Sequence, residues 1–195
     1  IYLPQTGYAA LSIEESTGDI LIPKDFTFEF IDISASTGNV ACFASSARLL
    51  RIETSTGDIQ AEGISAGELD LSVTTGEVVI RSVACAGNVG VSVDTGEAEL
   101  TDVSCKRVVS NGSTGSITME NVLAEEAITV QRSTGDVKFE QCDGAKFLVT
   151  TSTGNVTGTL LSEKVFITQS STGRVEVPET VTGGKCKITT STGDI

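Results

Sequence analysis

The dipeptide Thr-Gly recurs along this chain in a register that chance does not hold, its glycine falling at Gly18, Gly38, Gly57, Gly76, Gly96, Gly115, Gly135, Gly154, Gly173 and Gly193. The spacings are 20, 19, 19, 20, 19, 20, 19, 19 and 20. Serine precedes the threonine in eight of the ten units, Thr74 and Asp94 being the exceptions. Asp19, Asn39, Asp58, Glu77, Glu97, Ser116, Asp136, Asn155, Arg174 and Asp194 follow the glycine. Gly flanked by Ser, Thr, Asp and Asn is turn chemistry. The chain is therefore one turn repeated every 19 to 20 residues, the signature of a stacked architecture.

Around that turn the apolar period is two. Two residues past each glycine stand Ile20, Val40, Ile59, Val78, Ala98, Ile117, Val137, Val156, Val175 and Ile195. Four past it come Ile22, Cys42, Ala61, Ile80, Leu100, Met119, Phe139 and Val177. Seven and five before it, pairs such as Leu50/Ile52, Leu69/Leu71, Val89/Val91, Ile128/Val130 and Phe147/Val149 repeat the alternation. One strand with a buried face thus enters the turn and another leaves it. Ile64, Val83, Val103, Val122, Cys142 and Leu161, about seven past the glycine, mark a short third side.

Two strands and a corner in 20 residues cannot bury a core alone, so successive units stack like on like, each apolar column becoming a ladder. The expected fold is all-β, a single-stranded parallel β-helix of about ten rungs over residues 1–195. Composition agrees: aromatics are 5%, Trp and His are absent, and β-branched and small residues dominate. An antiparallel sandwich would alternate its turn types instead of repeating one. No composition break divides the chain, and both ends fall inside a unit. No run of some 18 apolar residues reads as a membrane helix, and an export signal or anchor would lie outside these 195 residues.

The net charge of −13 disfavours nucleic acid and anionic membranes as partners. The charge is also lopsided, with 16 acids and 4 bases in residues 1–103 against 10 acids and 9 bases in residues 104–195. An electrostatic partner of the first half should be cationic.

The blocks Ser16–Ile20, Ser55–Ile59, Ser133–Val137 and Ser191–Ile195, each Ser-Thr-Gly-Asp-(Ile/Val), resemble the bacterial DUF4097 family, which carries an adhesin label. The resemblance covers nearly the whole chain. It implies a right-handed parallel β-helix in proteins attached to, or regulating, the cell envelope, and it supplies no catalytic residues to carry over.

Several motifs compete with plainer explanations. Leu3-Pro4-Gln5-Thr6-Gly7 matches the sortase pentapeptide, but a sorting signal belongs near a C-terminus, and an entering strand explains the segment. The five cysteines, Cys42, Cys85, Cys105, Cys142 and Cys186, include no CxxC, and with no histidine a zinc site is not expected. Cys42 and Cys186 fall on core columns and Cys142 on the corner column of the third side, where small buried hydrophobes are expected. Cys85 and Cys105 stand nine past successive glycines, within disulfide reach of about 5 Å, although stacked thiols remain the expectation.

Asp58, Glu77 and Glu97 follow three successive glycines and form the one candidate metal column, for calcium. Like charges about 4.8 Å apart repel by roughly 1 kcal/mol even in water, which a cation would relieve. Turn carboxylates that splay into solvent or accept backbone N–H groups are the ordinary alternative. Arg51 and Arg81 are the bases near that stretch, and no acid–base pair for glycoside chemistry stands out. The threonine column invites an ice-binding reading, against which stands the variability of Glu15, Thr54, Arg132 and Ser170, taken as an outward neighbouring column. The function expected is a non-enzymatic envelope module, an adhesin or surface-presenting scaffold whose partner is a protein or cell-surface ligand. The alternative is a regulatory domain of an envelope-stress system that binds a protein or a cationic peptide. A carbohydrate-active β-helix comes third.

Overall fold

A computed structural model describes residues 7–195, so Leu3 to Thr6 of the sortase-like pentapeptide lie outside the described residues. Fifteen strands form one sheet: β1 (Gly7–Thr17), β2 (Ile20–Ile22), β3 (Thr27–Thr37), β4 (Val40–Cys42), β5 (Ser45–Thr56), β6 (Ile59–Glu62), β7 (Ser65–Thr75), β8 (Val78–Cys85), β9 (Asn88–Thr95), β10 (Ala98–Thr114), β11 (Ile117–Thr134), β12 (Val137–Thr153), β13 (Val156–Leu160), β14 (Lys164–Thr172) and β15 (Gly184–Thr192). The pairings are parallel, and the ten glycine corners enclose about nine turns of an all-β solenoid.

The expected ladders are in place. Val40, Ile59, Val78, Ala98, Ile117, Val137 and Val156 stack in one column, each 3% exposed or less. Strands entering the turn contribute Ile33, Ile52, Leu71, Val91, Val130 and Val149, all within the same core. Burying one such side chain is worth about 1.5–3 kcal/mol, so the repeated columns supply the stability that no single rung has. Tyr8, Phe26 and Phe28 group their rings at the N-terminal end, with Tyr8 and Phe28 centroids 5.8 Å apart.

Gly96 shows why the corner is glycine. Its φ is 135°, and a Cβ there would lie 1.8 Å from the carbonyl oxygen of Gly76 on the rung below. Conformation and stacking distance therefore both exclude a side chain. A second corner, six residues past the glycine, places Ser82, Asp102, Asn121 and Gln141 at φ of 51° to 55° and Gly63 at 64°. Asp and Asn tolerate this left-handed region best among residues with side chains, and Asn121 Nδ2 donates to Asp102 Oδ1 at 2.6 Å along the column.

Simple sequential stacking fails at the C-terminal end. β15 lies between β12 and β14, pairing Phe147 with Cys186 on one side and Phe166 with Cys186 on the other. The glycine column accordingly ends in the order Gly154, Gly193, Gly173: Gly154 N–H donates to Thr192 O and Gly193 N–H to Thr172 O, each at 2.9 Å. The inward positions give the reason. β14 presents Thr168 where the other rungs carry Ile, Val or Leu, except for Ser110, whose buried hydroxyl accepts from Arg132 Nη2, and burying the Thr168 hydroxyl unpaired would be unfavourable. β15 presents Cys186 and Ile188, 2% and 6% exposed, and takes the inner place. Val175 is consequently 41% exposed on the outermost rung instead of joining the ladder, and Ile195 fills the ladder position beside Val156. Leu161, expected on the third side with the buried Ile64 and Val122, is instead 57% exposed.

Candidate functional site: the acidic flank

The residue after each glycine forms a hydrogen-bonded ladder along the corner. Asn39 N–H donates to Asp19 Oδ1 at 2.8 Å, Asp58 N–H to Asn39 Oδ1 at 2.8 Å, and Glu77 N–H to Asp58 Oδ1 at 2.9 Å. The pattern resumes from Asp136 to Asn155 and from Asn155 to Asp194, again across the inserted last rung. A short acceptor side chain thus satisfies the next rung's backbone donor, a role Asp and Asn fill and Glu is too long to fill. Asp58 is an acceptor in this ladder, while Glu77 and Glu97 follow it in the same column. Among the described residues no group of three or more His, Cys, Asp or Glu is gathered in a form that could hold a metal ion. The Glu77 carboxyl sits above its ordinary range, chiefly because it is partly desolvated and further because Asp58, Glu99 and Glu97 crowd it with like charge, which Arg81 only partly relieves.

The bases of the acidic half are mostly committed. Arg81 Nη2 donates to both oxygens of Glu99 at 3.0–3.1 Å. Arg51 pairs with Glu53 and lies 4.0 Å from Asp70, and Arg48 lies 4.0 Å from Glu29. Three of the four bases in residues 1–103 are therefore neutralised, and most of the 16 acids there keep their field. These pairs are solvent-exposed and contribute little to stability, so their effect is to shape the surface potential.

Two other clusters carry charge into the fold. Arg132, taken from sequence as outward, is 4% exposed, as are Thr54 and Ala35 in its column. That column lies three before the glycine, and with a period of two it shares the inward face with the residues five before it. Its hydroxyls reach glycine carbonyls of neighbouring rungs, Thr190 Oγ1 to Gly154 O at 3.2 Å and Ser170 Oγ to Gly193 O at 2.9 Å. The exposed corner instead carries the Ser and Thr columns side by side, as at Ser55 and Thr56. Arg132 folds over Gly112, where a Cβ would meet its Nη1 at 1.6 Å, and donates to Val93 O and to Ser110 Oγ at 3.2 and 3.1 Å. Burial pushes its guanidinium below the ordinary arginine value.

At the C-terminal end Lys164, 2% exposed, reaches Asp143 Oδ1 at 2.7 Å and also bonds Ser162 Oγ. Its ammonium lies 5.8 Å from the Phe147 ring centroid. Partial burial alone would raise the Asp143 carboxyl, but hydrogen bonds from Lys164, Ser162 and Gly144 N–H hold it below its ordinary range.

All five cysteines are buried free thiols. Cys85 and Cys105 sit in a column of small residues with Ala66, Ala124 and Gly144. Burial pushes the Cys105 thiol to about 12, with neighbouring Cys85 adding to the rise, and Cys42 and Cys186 to about 11.

No curated protein and no solved structure matches this chain significantly. The Toastrack DUF4097 family matches residues 1–92 and 84–195, so the two stretches together span the chain. With the parallel solenoid and its repeated glycine corner, this chain belongs to the Toastrack DUF4097 family.

Proposed function

We propose that this chain is a non-enzymatic module of the cell envelope, extracytoplasmic, that presents the acidic flank of its solenoid to a protein partner as an adhesin or surface scaffold. The observation that carries the reading is the charge of residues 1–103, where 16 acids face 4 bases and three of those bases are already paired. A rigid parallel stack fixes these carboxylates at regular spacing and so offers a preorganised anionic surface with little ordering cost on binding. The same field suits a cationic peptide, the ligand expected of a regulatory domain in an envelope-stress system. Carboxylates held as backbone acceptors or arginine partners serve architecture and surface potential, which is why the proposal assigns no catalytic pair and no resident metal.

The experiment is binding of a lysine- and arginine-rich peptide, followed by calorimetry from 50 to 500 mM NaCl. Affinity should fall steeply with salt, and reversal of the corner carboxylates Glu77 and Glu97 to lysine should abolish it. Salt-independent binding, or binding untouched by the reversal, would refute the acidic flank as the recognition surface.

A further inference from the structure

The strands that enter the glycine corner lie side by side in the order β1, β3, β5, β7, β9, β10, β11, β12, β15, β14. Their outward residues, eight, six, four and two before the glycine, stand in register from rung to rung, Asp32 beside Arg51, Arg51 beside Asp70 and Leu148 beside Lys187. The charge on this face is divided by sign. Its first five strands carry Glu14, Asp32, Glu53, Glu68, Asp70 and Asp94 against the single base Arg51. Its last five carry Arg107, Lys146, Lys185 and Lys187 and, at these positions, no acid. Arg51 and Arg107 are already bound to Glu53 and Glu126, whereas among the described residues Asp32, Lys146, Lys185 and Lys187 enter no ion pair. Between the charged ends lie uncharged residues such as Gly90, Ser92, Val109 and Thr129. The face of the strands that leave the corner shows no such division, with Glu62 and Glu99 in its first half and Glu120 and Glu140 in its second.

We propose that this face joins two copies of the chain in an antiparallel dimer, the acidic end of each solenoid lying against the basic end of the other. A two-fold axis running along the strands between β9 and β10, the midpoint of the order, lays β3 over β15 and β5 over β12. Asp32 and Lys187 both stand six before their glycines, so that operation brings them together, twice in each dimer. It also sets Lys146 over the strand that carries Glu53. A two-fold axis along the solenoid would oppose acid to acid and base to base, so charge selects the antiparallel arrangement. The size fits as well. Ten strands about 4.8 Å apart and seven residues at about 3.3 Å each give a face of roughly 43 by 20 Å, close to the ~800 Å² per partner of a stable complex. An uncharged centre flanked by charge follows the usual anatomy of such interfaces, and Phe30, 40% exposed on β3, would be covered. The net charge of −13 opposes self-association at long range, but in about 150 mM salt that field is screened beyond about 8 Å and the charges in contact decide. The dimer goes beyond the reading of the acidic flank and leaves the corner carboxylates Glu77 and Glu97 outside the interface, so either can fail alone.

Sedimentation equilibrium of the 195-residue chain in about 150 mM NaCl should show a monomer–dimer equilibrium with a Kd on the order of 1 to 100 µM. Asp32→Lys and Lys187→Glu, both at exposed positions, should keep the fold and should each weaken the dimer about tenfold or more. An equimolar mixture of the two variants should recover the parent affinity to within about threefold, because one of the two contacts is then reversed in sign and the other is native. Should a reversal not fold, Asp32→Asn and Lys187→Gln test the same contact, each weakening the dimer about threefold or more. Glu77→Lys combined with Glu97→Lys should leave the dimer in place. A chain that stays monomeric at about 1 mM, a dimer that the substitutions at Asp32 and Lys187 leave intact, or a mixture that stays monomeric would overturn the proposal. So would loss of the dimer on reversal of Glu77 and Glu97, which would move the interface to the corner.

Discussion

Lys164 Nζ lies 2.7 Å from Asp143 Oδ1, across the strand that separates their rungs. Lys164 begins β14 and Asp143 belongs to β12, and the side chain crosses β15 at Gly184, where a Cβ would stand 3.3 Å from Lys164 Cδ. The bridge therefore ties together the two strands between which the last rung is inserted.

Lys164→Met should lower stability by about 1–3 kcal/mol in urea unfolding. The range sits below the several kcal/mol typical of a broken buried pair because the Asp143 side chain is 33% exposed. The pair should also shape acid stability. Asp143 is held below its ordinary value of 3.8, so it contributes stability that is complete above pH 3.8 and lost as pH falls through the lower folded-state value. Asp143→Asn should flatten that part of the pH profile, and an unchanged acid limb would count against the clamp.

The rung order can be tested by cross-linking. Leu148 pairs with Lys187, whereas stacking in chain order would bring Leu148 beside Ile167. A Leu148→Cys, Lys187→Cys chain should form a disulfide under mild oxidation, and Leu148→Cys, Ile167→Cys should not. Mass spectrometry of the non-reduced digest reads the outcome, and the opposite pattern would restore sequential stacking.

Gly96→Val should lower stability by more than ~3 kcal/mol, since it puts a β-branched residue at φ 135° and a Cβ 1.8 Å from Gly76 O. Equal melting temperatures for the variant and the parent chain would show that the corner yields to a side chain.

How far the sequence revealed this molecule depends on which force set each feature. The columns at Ile59, Ile80 and Ile52 were legible because hydrophobic burial imposes a strict period of two around a fixed glycine. The inward place of Arg132 was not, because a charged side chain reads as solvated, and only the room over Gly112 and the Ser110 acceptor explain it. Ser82, Asp102, Asn121 and Gln141 recur six past the glycine, a signal for the second corner that was present and easily passed over. Thr168 held a clue to the inverted rung order, since it would put a hydroxyl in a core column without the arginine donor that Ser110 has there. On the acidic flank the carboxylate column was legible, but its use as a backbone-accepting ladder depends on rung-to-rung geometry.

The strongest electrostatic prediction concerns Glu77. Its carboxyl is raised, so the folded chain takes up a proton before the unfolded chain does, and stability rises as pH falls from neutrality through the raised folded value toward the ordinary 4.5. Sodium chloride should also stabilise the chain near neutral pH by screening Glu77 from Asp58, Glu99 and Glu97. Glu77→Gln should raise Tm at low salt and reduce both the salt response and the gain on mild acidification. Calcium should add no increment beyond sodium at matched ionic strength, since Asp58 Oδ1 already accepts the Glu77 N–H at 2.9 Å. Melting curves at two salt concentrations, three pH values and with added calcium check every part. A calcium-specific rise in Tm that Glu77→Gln removes would reassign Asp58, Glu77 and Glu97 as a metal column, and no response to salt would remove the repulsion on which the argument rests.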